Sequence, residues 1–297
     1  MGLARKLLIA AENPMMVAHY AWARAHVPSV LSAYRRRARA AGLMRLEFIL
    51  SFDCDTEDDI AAAGEVHRRL VDLGIIASYA VPGELLRQGS DTYRRIAESG
   101  AEFLNHGDRR HMYFDPATSR HESCFFYDEE PRAAVEADIV GGDLAVTEVI
   151  GTRPAGFRTP HFGTFQRESE LRFLHSVLRR LGYVYSTSTT PGFGLCYGPV
   201  FSRYGLPEIP VSGRGSDPFT ILDSWSCFAR PDRVLGPDDY AREAIALAEA
   251  LADGPGLINY YADPSHVVGQ PMFFEAMAQL VRRAAPTTFA KIAAMIG

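Results

Sequence analysis

Along the chain, apolar runs too continuous for one-faced strands alternate with stretches of helical periodicity. LEFILSF (46–52) is an apolar run with aromatic and β-branched members, the signature of a strand buried on both faces. IAAAGEVHRRLVDLG (60–74) spaces its apolar residues as an amphipathic helix and stops at Gly74. The alternation continues. IIASYAV (75–81) reads as strand, TYRRIAESG (92–100) as helix and AEFLNHG (101–107) as strand. A long helical stretch (130–151) contains Gly141 and Gly142, PAGFRTP (154–160) is a short strand, and SELRFLHSVLRRLG (169–182) is a helix closed by Gly182. YVYSTST (183–189), PEIPVS (207–212) and LINYYAD (257–263) complete the strand candidates. Repeated strand–helix order predicts an α/β domain with a mostly parallel sheet, open or closed into a barrel.

Residues 1–45 break this pattern. They read as helical with an interruption near Pro28, and VPSVLSAYRRRARAAGL (27–43) ends in a basic run before Gly42. The segment carries eight Lys/Arg against one acid, Glu12, hence +7; the whole chain is −5, so residues 46–297 carry −12. The expected organisation is a basic helical N-terminal extension (1–45) followed by one domain (46–297). That extension either packs on the domain as a solvated helix or contacts an anionic membrane surface. The negative total argues against a nucleic-acid partner.

Four cysteines, Cys54, Cys124, Cys196 and Cys227, form no CxxC pair and fit a reducing compartment. No stretch approaches the roughly 18 apolar residues of a membrane span. MGLARKLLIAAENP is too short and too soon broken for a secretory signal. The expected location is cytoplasmic, peripheral at the inner membrane face if the extension binds lipid.

In parallel α/β folds, functional groups gather at the C-terminal ends of strands. Here Asp53 and Asp55 follow the first strand, His106 and His111 the third, Arg158 and His161 the PAGFRTP strand, and His266 the last. Asp53 and Asp55 flank Cys54, so an extended backbone points both to one side. Their mutual repulsion is relieved by a divalent cation. Glu57, Asp58 and Asp59 suit the acidic first turn of the next helix. Two histidines and a carboxylate form a three-ligand set of the kind that holds catalytic zinc, with cobalt or nickel as alternatives. A regular helix would hold His106 and His111 about 140° apart, so Gly107 must begin a turn.

The motifs FDCD, NHGDRRH and FRTPHFG, followed by LRRLGY, resemble those of the polysaccharide deacetylase family with its NodB-homology domain, from Leu46 to about Val268. The resemblance implies a distorted (β/α) barrel with a metal at its rim. It implies Asp53 as general base, Asp55, His106 and His111 as metal ligands, Arg158 as the residue holding the base, and His266 as general acid. His161, Phe162 and Trp225 are candidates to line the substrate site. The implied reaction is metal-dependent hydrolysis of an N-acyl, foremost N-acetyl, group from an amino sugar or glycoconjugate.

The sequence departs from the family pattern in three places. Four residues rather than three separate the motif histidines, with Arg110 at the expected ligand position, which leaves His121 as an alternative to His111. YVYSTSTT offers hydroxyls where an acid is expected, which leaves Asp223 to take that part. Tyr261 stands where the last histidine is expected, five residues before His266. Two other readings stay open. One is an amide hydrolase of the same fold acting on a small cyclic amide, towards which FRTPHF leans. The other is a catalytically silent metal- or carbohydrate-binding protein, suggested by the altered last motifs.

Overall fold

The computed structural model describes residues 3–229 and 235–296, with side chains from residue 8 onward. The side chains of Arg5 and Lys6, two of the basic residues of the leading segment, lie outside the described ones.

The domain is organised about β1 (Leu46–Asp53), every residue of which is buried. β1 pairs in parallel with β2 (Ser78–Val81) on one side. On the other it pairs with β8 (Gly256–Ala262) from Leu46↔Gly256 to Phe52↔Ala262. The ladder extends through β3 (Glu102–Asn105), β6 (Gly156–Phe157) and β7 (Tyr185–Ser186), in the order β7-β6-β3-β2-β1-β8. β9 (Ala285–Pro286) adds to the start of β1. Every pairing in this sheet is parallel, and the sheet curls into a distorted barrel.

Strand alternation sorts β1 between two cores. Phe48, Leu50 and Phe52 face the helical layer, where they pack with residues such as Val66, Leu70 and Phe273. Ile49 faces the interior with Ala80, Leu104, Tyr185, Ile209 and Leu257. Phe289 and Ile292 of the C-terminal helix Phe289–Ile296 join this interior cluster. Ser51 and Asp53 share the parity of Ile49. One strand thus supplies apolar filling low in the barrel and a carboxylate at its mouth.

PEIPVS is not a regular strand. Pro207 and Pro210 lack the N–H groups a ladder needs, and the segment makes only isolated contacts. Ser186 donates to the Pro207 carbonyl (2.9 Å), Val211 N to Thr189 O (3.1 Å) and Ser212 N to Asn259 O (2.8 Å). It spans the gap between β7 and β8, which accounts for the irregular closure. Helices Gly83–Gln88, Pro191–Tyr197, Pro237–Leu251, Pro271–Leu280 and Phe289–Ile296 lie outside the elements read from the sequence, as do two elements of another kind. One is an antiparallel hairpin of β4 (Met112–Asp115) and β5 (Arg120–Ser123). The other is a π-helical turn at Trp225–Ala229.

The leading segment forms helices Leu3–Glu12, Pro14–Ala25 and Val27–Ala40. The breaks fall at Asn13 and His26, and each following proline sits in the first helical turn, where its missing N–H costs nothing. Ala23, Val30 and Tyr34 join the main core, and the Tyr34 hydroxyl donates to Leu257 O of β8 (2.6 Å). Among the described residues, no helix is long and apolar enough to cross a membrane.

The closing segment is fastened by Glu208, whose carboxylate is fully buried. It accepts from Ser188 N (2.7 Å), Thr189 N (2.9 Å) and Thr189 Oγ1 (2.9 Å), and pairs with His175 Nε2 (3.1 Å). Burial opposes ionisation, but His175 and these donors outweigh it and lower the pKa. A lowered carboxylate pKa stabilises the fold above the ordinary carboxylate range, and this is lost as pH falls through the folded value. Glu208→Gln should therefore lower stability at neutral pH by about 1–3 kcal/mol. It should also flatten the acid-side loss, as measured by urea unfolding across pH.

Candidate active site

The sharp end of β1 is built by its own helix cap. Thr56 caps helix Glu57–Asp72, with Glu57, Asp58 and Asp59 in its first turn, as the acidic run predicts. Asp59 does more than cap. Its Oδ2 accepts from Asp55 N and Thr56 N (3.0 Å each) and from Thr56 Oγ1 (2.7 Å). Its Oδ1 accepts from Ser265 N (3.0 Å) and Ser265 Oγ (2.7 Å). One carboxylate, 1% exposed, ties the Asp55 turn to the short helix Pro264–Val267 that carries His266.

The two candidate ligand histidines, His106 and His111, come from a turn after β3. Gly107 has φ +80°, and an added Cβ would lie 2.2 Å from Asp138 Oδ2. Asn105 Oδ1 accepts from Gly107 N (2.8 Å), while Asp138 Oδ1 accepts from Asp108 N (3.2 Å) and Arg109 N (2.8 Å). The extra residue between the histidines points outward: Arg110 pairs with Glu57 and Glu84 and donates to Gln88 Oε1 (2.6 Å). His111 thereby turns inward and is fully buried, whereas His121 packs on Phe114 in the hairpin.

Three donor atoms converge. Asp55 Oδ1 lies 2.9 Å from His111 Nε2 and 3.5 Å from His106 Nε2. Among the described residues, Asp55, His106 and His111 form a group of potential ligands whose donor atoms all lie within 4.8 Å of one another. His106 donates from Nδ1 to the Arg158 carbonyl (2.8 Å), which fixes the tautomer and presents Nε2. Burial opposes ionisation of Asp55, but His111 and His106 outweigh it and hold its carboxyl well below the usual range.

Beside this cluster, Arg158 is wholly buried. Its Nη1 donates to Asp53 Oδ1 (2.5 Å) and its Nη2 to Ser51 Oγ (2.8 Å). Phe162 lies 5.2 Å from the guanidinium and packs on Tyr261, ring centroids 4.8 Å apart. His161, at φ +56°, donates from Nε2 to Cys124 O (2.9 Å); its ring lies 4.5 Å from that of Phe126 and 5.1 Å from that of His111. Burial, reinforced by His111, lowers its pKa.

His266 completes the rim. Its Nδ1 lies 2.8 Å from Asp263 Oδ2 and 3.1 Å from Ser224 Oγ, and Trp225 packs 5.6 Å away. Burial pushes the Asp263 carboxyl up to about 7 against the pull of His266. Burial also opposes the charge on His266, but Asp263 outweighs it and raises the imidazole above its ordinary value. Asp223 accepts from Ser226 N (2.6 Å) and Ser226 Oγ (3.1 Å) and adds a smaller contribution to the raising of His266. Asp263 was not foreseen, although an Asp-Pro pair three residues before a histidine marks a helix cap that can hold one. Asp138, in mid-helix 132–150, left no such mark.

No protein-family model matches the chain, and no curated relative matches it in sequence. Solved structures do match. A Mycobacterium smegmatis protein assigned to the polysaccharide deacetylases superposes with TM-score 0.63 at 18% identity, over 84% of this chain and 89% of its own. A Pseudomonas aeruginosa PAO1 protein with the same assignment gives 0.59 at 13%, over 86% and 91%. The Puue allantoinase gives 0.60 at 13%, over 85% and 90%. The chain has the α/β fold of the polysaccharide deacetylases. In particular, it is a distorted (β/α) barrel of the NodB-homology type.

Asp59→Ala leaves five donors around an empty position. It should cost about 2–4 kcal/mol by urea unfolding, against about 1 kcal/mol for Thr56→Ala, which removes the cap hydroxyl alone.

Proposed function

We propose that this chain is a metal-dependent hydrolase that removes an N-acyl group, foremost acetyl, from an amino sugar or a sugar-containing glycoconjugate. The observation that carries the reading is the convergence of Asp55 Oδ1, His106 Nε2 and His111 Nε2 beside an Asp53–Arg158 pair. One carboxylate and two imidazoles, that of His106 with its tautomer fixed, suit Zn²⁺, Co²⁺ or Ni²⁺. Two of the structural relatives are assigned as polysaccharide deacetylases.

When bound, the ion would supply Lewis acidity, polarising the amide carbonyl and making water a nucleophile near neutral pH. The chain's residues do the rest. Arg158 holds Asp53 by Oδ1, and Oδ2 has no protein donor among the described residues. Asp53 takes a proton from water as the new C–O bond forms. His266, kept charged by Asp263, gives a proton to the amine nitrogen as the C–N bond breaks. Phe162 and Trp225 offer apolar faces to the C–H groups of a sugar ring.

The test is acetate release from N-acetylated sugars with and without added Zn²⁺. Asp53→Asn should keep bound metal yet lose about 10²–10⁴-fold in kcat. His111→Ala should lose metal by elemental analysis, and His121→Ala should retain it. The rate should decline on the alkaline side as His266 loses its proton, above the ordinary histidine value. Metal-loaded protein that ignores every N-acyl sugar but opens a cyclic amide would move the reading to that substrate class. Metal binding with no turnover on either class would leave a binding protein.

A further inference from the structure

Helix Pro14–Ala25 breaks the rule for surface helices, which carry a polar outward face. Its sequence, PMMVAHYAWARA, holds no acid and one Arg. Met15 is 78% exposed, Trp22 46% and Val17 40%, with exposed alanines at 18, 21 and 25 between them. Leu8 of the preceding helix is 48% exposed. The lone charge on the helix is engaged: Arg24 donates to Asp217 Oδ2 (2.8 Å) and to the Tyr20 hydroxyl (2.7 Å). Stacking of Trp22 on His26, centroids 4.9 Å apart, holds the indole in place at the surface.

The two helices that bear this face touch the active end of the barrel, while the next helix, Val27–Ala40, runs towards the start of β8, where Tyr34 donates to Leu257 O (2.6 Å). Glu12, which closes the first helix, accepts from Ser169 N (3.0 Å) and pairs with Arg167. Residues 167–169 begin the helix that follows the loop bearing Arg158, His161 and Phe162. Tyr20 rests against Gly192, at the start of helix Pro191–Tyr197, which follows β7. Both contacts are with helix N-termini, and in a parallel barrel those stand at the C-terminal ends of the strands, where Asp55, His106 and His111 meet.

Charge selects the occupant. Residues 1–45 carry +7 against −12 for the remainder, and their single acid, Glu12, is already paired. Trp22 and the exposed Arg36 line one groove of about 410 Å³, with Ser29 and Ser32 between them. An aromatic ring, a guanidinium and hydroxyls suit the headgroup level of an anionic bilayer. A second copy of the chain fits less well, because it would set +7 against +7. A helix of 12 residues, about 18 Å long and about 11 Å wide, also presents a projected face of only about 200 Å², against the roughly 800 Å² per partner of a stable dimer.

We propose that helices Leu3–Glu12 and Pro14–Ala25 dock on an anionic bilayer surface, with Met15, Val17 and Trp22 inserted and the metal-ligand cluster facing the lipid. The docking stands on this surface alone. That the substrate is a lipid-linked N-acyl sugar rests, in addition, on the hydrolase reading.

The experiment is co-sedimentation of the full chain with vesicles of phosphatidylcholine containing phosphatidylglycerol, and with phosphatidylcholine alone. Wild type should pellet with the anionic vesicles, less as salt rises, and weakly with the neutral ones. The double variant Met15→Gln, Trp22→Gln should lower the partition coefficient about tenfold or more. Its Tm, bound metal and turnover of a soluble N-acetyl sugar should be unchanged. Wild type that stays in the supernatant, or a double variant that binds equally well, overturns the docking. So does a vesicle-free dimer in sedimentation velocity that the double variant dissolves, since the face then belongs to a second copy. Docking with no turnover of any N-acyl sugar supports the surface and overturns the hydrolase reading instead.

Discussion

A guanidinium with no access to water organises the barrel mouth. Arg158 is always charged, and a buried charge persists only where partners replace its hydration. Asp53 and Ser51 of β1 provide them, which fixes β6 against β1 across the barrel interior. The same residue acts a second time through its backbone, because its carbonyl sets the tautomer of His106. The Asp53 carboxylate and the His106 imidazole therefore share one support. Neither could shift without exposing the other to an unpaired buried group.

The other side of the mouth is held by an anion in the same way. Asp59 receives donors from the turn after β1 and from the helix after β8, the two strands with the longest pairing in the sheet. A cap residue, ordinarily of local consequence, becomes a joint between the Asp55 turn and the His266 helix. The acids at the end of LEFILSF thus divide their labour. Asp53 and Asp55 face the mouth, Glu57 steers Arg110 outward, and Asp59 binds the rim together.

Much of this was legible in the chain. Strand–helix alternation and the glycine stops located β1, β2, β3 and β8 and most of the helices, because buried parallel strands and amphipathic helices have distinct periods. The placement of acids, histidines and Arg158 at strand ends located the mouth, because β topology brings those ends together. What stayed hidden depended on tertiary partners. PEIPVS has a strand's composition, but its prolines deny it a ladder. The hairpin 112–123 has four-residue strands, with Asp115, Arg120 and Glu122 on the face of Tyr113 and only Met112 and Phe114 as apolar residues on the other, too short a stripe to announce it. Asp263 and Asp138 became significant only when folding set them beside His266 and the 107–109 turn. Arg110, at the expected ligand position, was harmless because three polar groups on neighbouring helices draw it away.

The hairpin that follows His111 has one further consequence. His111 O accepts from Cys124 N (2.8 Å), so the residues on either side of the insertion are joined at its base. Everything from Met112 to Ser123 hangs beyond that clasp, with Tyr113 and Phe114 more than half exposed. The clasp separates the hairpin from the turn that carries His106 and His111. The hairpin is thus a segment whose length can vary with least disturbance of the cluster of Asp55, His106 and His111.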